Sequence, residues 1–214
     1  MRHCLRVIAL ALLLGTASRL PAEAKTIVIT DAACDRMAMI AAVAPRMGWA
    51  SQDEPTSASC NTIHVTLRGE SAFLIRFPLD AIPADQRIVK AELLVPVGQL
   101  QTPYPRFFVH RILGDWGPGA CWLYRTTRPE KMPWGGAGCG AGGTDRAARP
   151  TATVRPDKPG ERAVNVTADV ELWNSGAAPN EGWVISCEDD TAVRLASPVW
   201  TANSWKLRIT YEPR

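Results

Sequence analysis

The chain reads as an all-β protein, an antiparallel β-sandwich of jelly-roll type with one short helix near residues 167–175. Three stretches carry this reading. In Phe73-Leu74-Ile75-Arg76-Phe77-Pro78-Leu79 the apolar residues Phe73, Ile75, Phe77 and Leu79 fall on one side and Arg76 on the other. After the turn Ile82-Pro83-Ala84-Asp85 the pattern restarts, with Val89, Ala91, Leu93, Val95 and Val97 alternating with Lys90 and Glu92. Near the C-terminus Trp205, Leu207, Ile209 and Tyr211 oppose Lys206, Arg208 and Thr210. A period of two turns one face of a strand to a core and the other to water, whereas a helix needs spacings of three and four. Two packed antiparallel sheets bury such faces.

Residues 1–24 read as a leader rather than as part of the fold. Arg2 and Arg6 precede the apolar run Val7 to Leu14, and Ala22-Glu23-Ala24 has the small-x-small form of a signal-peptidase site. The run is too short to span a bilayer, and no later stretch reads as an integral membrane span. The expectation is therefore a secreted, extracellular protein, with residues 25–214 as one domain and a monomer. The formal net charge of +3 falls to +1 once the leader's Arg2, Arg6, Arg19 and Glu23 are removed. That balance gives no argument for nucleic acid as a partner.

Five cysteines follow the leader: Cys34, Cys60, Cys121, Cys139 and Cys187. In an oxidising compartment they are expected to pair, and an odd number leaves one over. Many pairings are open. The favoured one is Cys34–Cys60 with Cys121–Cys139, because each clips a long irregular segment to its neighbour. Closing loops of that size is worth ~3 kcal/mol each when unstrained. Cys187 is then a buried thiol beside Trp183 and Ile185. Zinc is not expected: there is no CxxC, and His64 and His110 are the only histidines beyond the leader.

Along the chain, Thr26 to Thr30 predicts a first strand of high β-propensity. Ala32 to Ser59 reads mainly as a long ordered loop. Ile63, Val65 and Leu67 alternate into a strand, and Arg106 to Ile112 into another with both faces partly apolar. From Gly114 to Pro150 the chain becomes irregular, and Gly135 to Gly143 holds six glycines among Trp116, Trp122, Tyr124 and Trp134. This stretch lacks the lysine and Ser/Thr ending of a phosphate-binding loop. A loop this long is functional or pinned down, and a Cys121–Cys139 bond would pin it. Ala163 to Val166 predicts a strand, followed by a helix that Thr167 caps and Gly176 ends. Trp183 to Cys187 and Val193 to Leu195 predict strands on either side of a turn at Asp189-Asp190.

Several of these segments, in this order and spacing, resemble the DNRLRE domain, the disaggregatase-related β-sandwich module. They are Phe73 to Leu79 with Ile82-Pro83, Ala91-Glu92-Leu93, Asp115-Trp116 with Trp122, and Val164-Asn165-Val166-Thr167 with Val170 and Trp173. Asn180-Glu181-Gly182-Trp183 and Lys206-Leu207 to Tyr211 complete the series. The resemblance runs from about Phe73 to Tyr211. It implies an extracellular, non-catalytic carbohydrate-binding module, with acidic polysaccharide such as alginate among the family's ligands. Asn165 stands where the family usually has Asp, and the segment from Cys121 to Cys139 departs from its pattern. By analogy with jelly-roll modules, a structural calcium ion would sit at Asp31 or Asp35; no other cofactor is expected.

Sugar recognition needs flat rings, hydrogen-bonding groups and, for acidic sugars, cations. Trp116, Trp122, Trp173, Trp183 and Trp205 read as core, which leaves Tyr124 and Trp134 as stacking platforms in the irregular segment. The outward cations Arg76, Lys90, Lys206 and Arg208 would form a basic surface if their strands share a sheet; otherwise they make a solvated face paired with Glu92. Asp115, Glu130, Asp169, Glu171, Glu188 and Asp189 offer many carboxylate pairs, so their presence points to no particular hydrolase. A lyase reading would need His110 with Tyr104 or Tyr124 beside an arginine, and no GxSxG elbow supports a serine hydrolase. Asn165-Val166-Thr167 has the form of a glycosylation sequon but sits where a helix cap is expected. The expected function is binding of a polysaccharide or cell-surface glycan without catalysis. The alternative is a structural or adhesive domain of the cell surface or matrix, using the same fold without a sugar site.

Overall fold

Alternation predicts most of the strands, and two departures from it, at Val89 and in β2 (Arg36–Ala41), have local causes. The computed structural model describes residues 23–46, 48–49, 64–67, 70–100, 106–117, 119–187, 193–196 and 204–214. Most of the leader, Cys60, Tyr104 and the Asp189-Asp190 turn lie outside the described residues. The first strands are β1 (Lys25–Thr30), β2 (Arg36–Ala41), β3 (Gly48–Trp49), β4 (His64–Leu67), β5 (Ser71–Arg76), β6 (Gln86–Leu100) and β7 (Phe107–Arg111). A small hairpin, β8 (Tyr124–Thr126) and β9 (Met132–Pro133), precedes β10 (Ala152–Val154) and β11 (Gly160–Asn165). Helix α1 (Thr167–Asn174) comes next, then β12 (Trp183–Cys187), β13 (Val193–Ala196) and β14 (Lys206–Pro213).

All pairings between strands are antiparallel, and the strands form two main sheets. Sheet A contains β1, β14, β6, β13 and β4, with β11 also on β6; sheet B runs β10-β7-β12-β5-β2-β3. The chain crosses repeatedly from one sheet to the other, as in a jelly roll. The inner faces meet in one core that includes Phe73, Ile75, Leu93, Val95, Val109, Trp183, Trp205, Leu207 and Ile209, all fully buried. Within it Phe73 stacks on Trp205 at 4.8 Å between ring centroids, and Trp173 tilts against Trp183 at 4.7 Å. Leu79 is only partly buried against this core.

Val89 corrects the expected alternation. It is 41% exposed, while Ile88 is buried. The register between β6 and β14 shifts at this point: Lys90 lies opposite Thr210, but Ile88 lies opposite Tyr211. One extra residue on β6 inverts the face on which every earlier side chain falls.

The segment from Ala32 to Ser59 is the second correction. Within it, after a 3-10 turn at Asp31–Ala33, β2 pairs with β5 over six residues and β3 pairs with β2. Met37, Ala38, Ile40 and Ala41 are all buried, Met37 in the main core and Ala38 with Ile40 on the opposite side of the sheet. With both faces apolar, the polar half of the alternation is missing, so this strand does not announce itself.

Helix α1 closes the edge of β6 that β14 leaves open. Val166 N–H donates to Ala91 O at 2.9 Å, and Thr167 Oγ1 accepts from Ala91 N–H at 2.9 Å. Further along, Glu171 Oε2 accepts from Ile88 N–H at 2.9 Å and Asn174 donates to Gln86 O at 3.1 Å. Thr167 is the first helical residue rather than the cap, and Asn165 Oδ1 accepts its N–H at 3.0 Å. Asn165 therefore does capping work at the helix start. Gly176, at φ +74°, ends the turn after the helix.

Sheet B carries a third layer. On its outer face Ala38, Ile40, Ala72, Leu74 and Val184 pack against Ile112, Trp116, Ala120, Trp134 and Cys139 of the irregular excursion. A strand of a two-layer sandwich would show that face to water; here β5 is buried on both. Leu74→Ala is accordingly expected to cost about 2–5 kcal/mol, the same range as Leu93→Ala in the main core. Urea unfolding of the two variants checks this. A Leu74 cost below ~1 kcal/mol would mean that the excursion does not pack on the sheet.

Candidate functional site

Hydrogen bonds to the sheets and within the excursion hold it in place. Leu123 N–H donates to Pro45 O at 3.1 Å, tying it to the turn after β2. Trp116 Nε1 donates to Glu181 O at 2.8 Å, and Trp134 Nε1 to Cys121 O at 2.8 Å. The glycine-rich stretch closes around the buried Asp145 carboxylate. It accepts from Gly135 N–H at 2.7 Å, Gly136 N–H at 2.9 Å and Ala141 N–H at 3.0 Å. Three backbone donors converging on one carboxylate order a stretch that glycine would otherwise leave free.

The expected Cys121–Cys139 crosslink is not what pins the loop. Cys34, Cys121, Cys139 and Cys187 are all buried, and no disulfide forms among the described residues. Cys139 Sγ instead lies 3.8 Å from Asp145 O, and burial, reinforced by Asp145, pushes its thiol well up. Burial, with Asp31 and Asp35 adding to it, does the same to Cys34. The Cys34–Cys60 pairing involves a residue outside those described.

Between the excursion and the outer face of sheet B lies an open cleft of about 790 Å³. The register builds its floor. Ala72, Ser186 and Phe108 stand in one row across β5, β12 and β7, and Leu74, Val184 and His110 in the next. The excursion covers Leu74 and Val184, while the row containing Ser186 borders the cleft. Trp122, Gly138 and Arg146 supply the facing wall. Arg146 Nη1 is 3.5 Å from Ser186 Oγ, and the Phe108 and His110 rings are tilted with centroids 6.3 Å apart.

Trp122 is held in place by a glycine. Gly138 has φ +73°, its N–H donates to Trp122 O at 2.7 Å, and a Cβ added there would fall 2.4 Å from the indole ring. Any side chain at 138 must displace the ring. His110 is 8% exposed, and its Nδ1 is buried with no hydrogen-bond partner among the described residues. Burial, with the charge of Arg146 adding to it, lowers its pKa to about 4, so it is neutral at physiological pH.

The residues expected to bind ligand are not brought together. Arg76 belongs to sheet B, directly opposite Arg36, whereas Lys90, Lys206 and Arg208 belong to sheet A. Arg76 pairs with Asp35, at 2.9 Å from Nε, and lies 3.8 Å from Glu181. The Asp35 hydrogen bond raises the Arg76 pKa. Burial, with Asp115 adding to it, raises that of Glu181. On sheet A, Glu92 takes Lys90 at 2.8 Å and Arg208 at 2.8 Å, and Lys206 reaches Glu161 at 2.9 Å. Hydrogen bonds from Lys90 and then Arg208 hold Glu92 below the usual carboxylate range. These cations form an ion-paired face of modest energetic weight.

Trp134 is buried at 6% exposure and packs in the second core, so it is no platform. Tyr124 is half-buried with Lys131 5.9 Å from its ring centre, and it lies outside the cleft lining. Trp122, expected in the core, is only partly buried and borders the cleft. The calcium candidates are engaged otherwise. Asp31 Oδ2 accepts from Ser204 N–H at 3.1 Å and Trp205 N–H at 3.0 Å, and Asp35 pairs with Arg76. Among the described residues no three His, Cys, Asp or Glu side chains are grouped to hold a metal. His110 and Arg146 are the residues that sequence reasoning missed as a pair. The only signal was a histidine on the less apolar face of β7.

Comparison with protein-family models and with curated proteins finds no match to the chain.

Two outcomes follow from this geometry. A histidine whose pKa is depressed on folding binds fewer protons in the native state, so its contribution is full above pH 6.5 and is lost as pH falls towards about 4. Thermal unfolding between pH 7 and 4 is expected to show a downward slope that His110→Asn makes shallower; identical slopes would contradict the assignment. Asp145→Asn, which keeps the size but weakens the acceptor set, is expected to cost about 1–3 kcal/mol and to speed amide exchange at Gly135, Gly136 and Ala141. Unchanged exchange at those amides would show that the carboxylate does not organise the loop.

Proposed function

We propose that the chain is an exported, non-catalytic glycan-binding module whose ligand is an acidic polysaccharide held in the cleft between sheet B and the excursion. One observation carries the reading: the cleft gathers Trp122 and Phe108, one guanidinium, one imidazole and the Ser186 hydroxyl on a fixed floor. Rings stack on sugar faces, Arg146 pairs with a carboxylate and the remaining groups serve hydroxyls. This is the chemistry that the resemblance to DNRLRE modules implies, and of the groups named only Trp122 lies in the segment that departs from that family's pattern.

Two features of the cleft favour binding over catalysis. Among the described residues its lining includes no carboxylate, whereas glycoside hydrolysis of the usual kind needs two at a set separation. A histidine with a pKa of about 4 accepts a proton poorly at neutral pH, which is the wrong poise for a general base.

Calorimetric titration with a polyuronate oligosaccharide tests the proposal. Trp122→Ala and Arg146→Gln are each expected to weaken binding roughly tenfold or more, as loss of a stacking ring or a charge-assisted bond does. The effect of Arg146 should shrink between low salt and about 0.5 M salt, where the Debye length is only a few Å. The paired variant Lys206→Ala/Arg208→Ala is expected to bind as the wild type does. Binding that is lost in that variant and kept in Arg146→Gln would move the site to sheet A. No saturable binding to any glycan, together with retention on cell surfaces, would favour an adhesive domain instead.

A further inference from the structure

One row of side chains crosses the outer face of sheet B and passes from cover to water. The register lines up Ile40, Ala72, Ser186, Phe108 and Thr153 on β2, β5, β12, β7 and β10. Ile40 and Ala72 are buried under the excursion, Ser186 and Phe108 are half-buried in the cleft, and Thr153 is exposed. The cleft is therefore shut towards β2 and open towards β10. Two residues beyond Thr153 stands Arg155, also exposed, and alternation along the chain turns it to the same face. Neither Arg146 in the cleft nor Arg155 has an ion-pair partner among the described residues. Arg76, Lys90, Lys206 and Arg208, by contrast, are each matched by a carboxylate.

We infer that the binding surface continues out of the cleft across β10, where Arg155 and the Thr153 hydroxyl form a second subsite for a carboxylate-bearing sugar further along the same chain. The inference rests on the glycan reading above and deepens it: the ligand is a run of acidic units rather than a single one. Thr153 is two strands from Ser186, about 10 Å away, and Arg155 lies about 7 Å further along the strand direction. One sugar ring seated against Trp122 does not reach that far, and a short oligosaccharide does. An exposed guanidinium pairs only modestly with a carboxylate in water. Arg155 therefore adds to the affinity of a chain already anchored at Arg146 rather than capturing one alone. Once the first unit is held, the second contact forms within the complex, and its weak pairing acts at a raised effective concentration.

The test is titration of the full chain with polyuronate oligosaccharides of increasing length, for the wild type, Arg146→Gln, Arg155→Gln and Lys158→Gln. The last removes the same charge three residues on. Wild-type affinity is expected to rise with length until the chain spans both arginines, and then to level off. Arg155→Gln should bind the shortest oligosaccharides as the wild type does and lose about threefold or more on the long ones. Arg146→Gln should weaken binding at every length, and Lys158→Gln at none. Affinity that is independent of length would overturn the inference, as would an Arg155→Gln that loses equally at all lengths or at none. A loss in Lys158→Gln equal to that in Arg155→Gln would also overturn it, by showing diffuse attraction in place of a subsite. Binding that needs Trp122 and Arg146 but ignores length would leave the glycan reading standing and remove this one; a wild type that binds no polyuronate would remove both.

Discussion

Sheet B is apolar on both faces, and the rest of the molecule follows from that constraint. A sandwich needs only its inner faces covered. In β5 and β12, however, Leu74 and Val184 on the outer side are as fully buried as Phe73 and Ile185 on the inner. Left in water, such a row would oppose folding through exposed apolar surface and invite association. The chain covers it with its own least regular segment, and the cover does not reach the whole face. Where the outward residues turn from Leu74 and Val184 to Ala72 and Ser186, a gap remains between sheet and cover. The candidate site is thus a by-product of incomplete coverage, furnished by the residues that border the gap.

Order in the cover comes from polar chemistry rather than from regular secondary structure. Asp145 gathers three amides, Trp116 and Trp134 each give their indole N–H to a backbone carbonyl, and Gly138 lets an indole lie against the main chain. Buried donors and acceptors that are fully matched rigidify their surroundings. Asp169 has the same function on the inner side, where its carboxylate joins Trp183 of β12, Thr151 before β10 and Arg111 of β7. A binding surface made from loops gains precision when the loops are held in this way.

Much of the fold was legible in the sequence because period-two alternation reports one buried face. Phe73 to Phe77, Ala91 to Val97 and Trp205 to Tyr211 followed it. The reading failed where that condition fails. In β2 both faces are buried, so Met37 to Ala41 is a continuous apolar run without alternation. At Val89 a bulge inverts the phase, and nothing in the sequence marks an extra residue on one strand. The site was less legible for a related reason. Arg76, Lys90, Lys206 and Arg208 are outward cations, but sheet membership is a property of topology and separates the first from the others. Trp134 and Trp122 lie in the same irregular segment, and only the fold decides which indole is inside. The cap was expected at Thr167, but the helix begins there and Asn165 accepts its N–H instead.

The position of α1 has a consequence for how copies of this chain meet. Strand β6 is the longest among the described residues, and its edge alongside Gln86 to Ala91 would offer a row of backbone groups to any incoming strand. The helix occupies that row with Thr167, Glu171 and Asn174, each spending its side chain on a main-chain partner of β6. A foreign strand could pair there only after displacing a helix whose apolar side, Val170 and Trp173, is buried in the core. Polymerisation by strand exchange is therefore blocked at the centre of sheet A, and domain-swapped or fibrillar assembly would have to begin at the outermost strands.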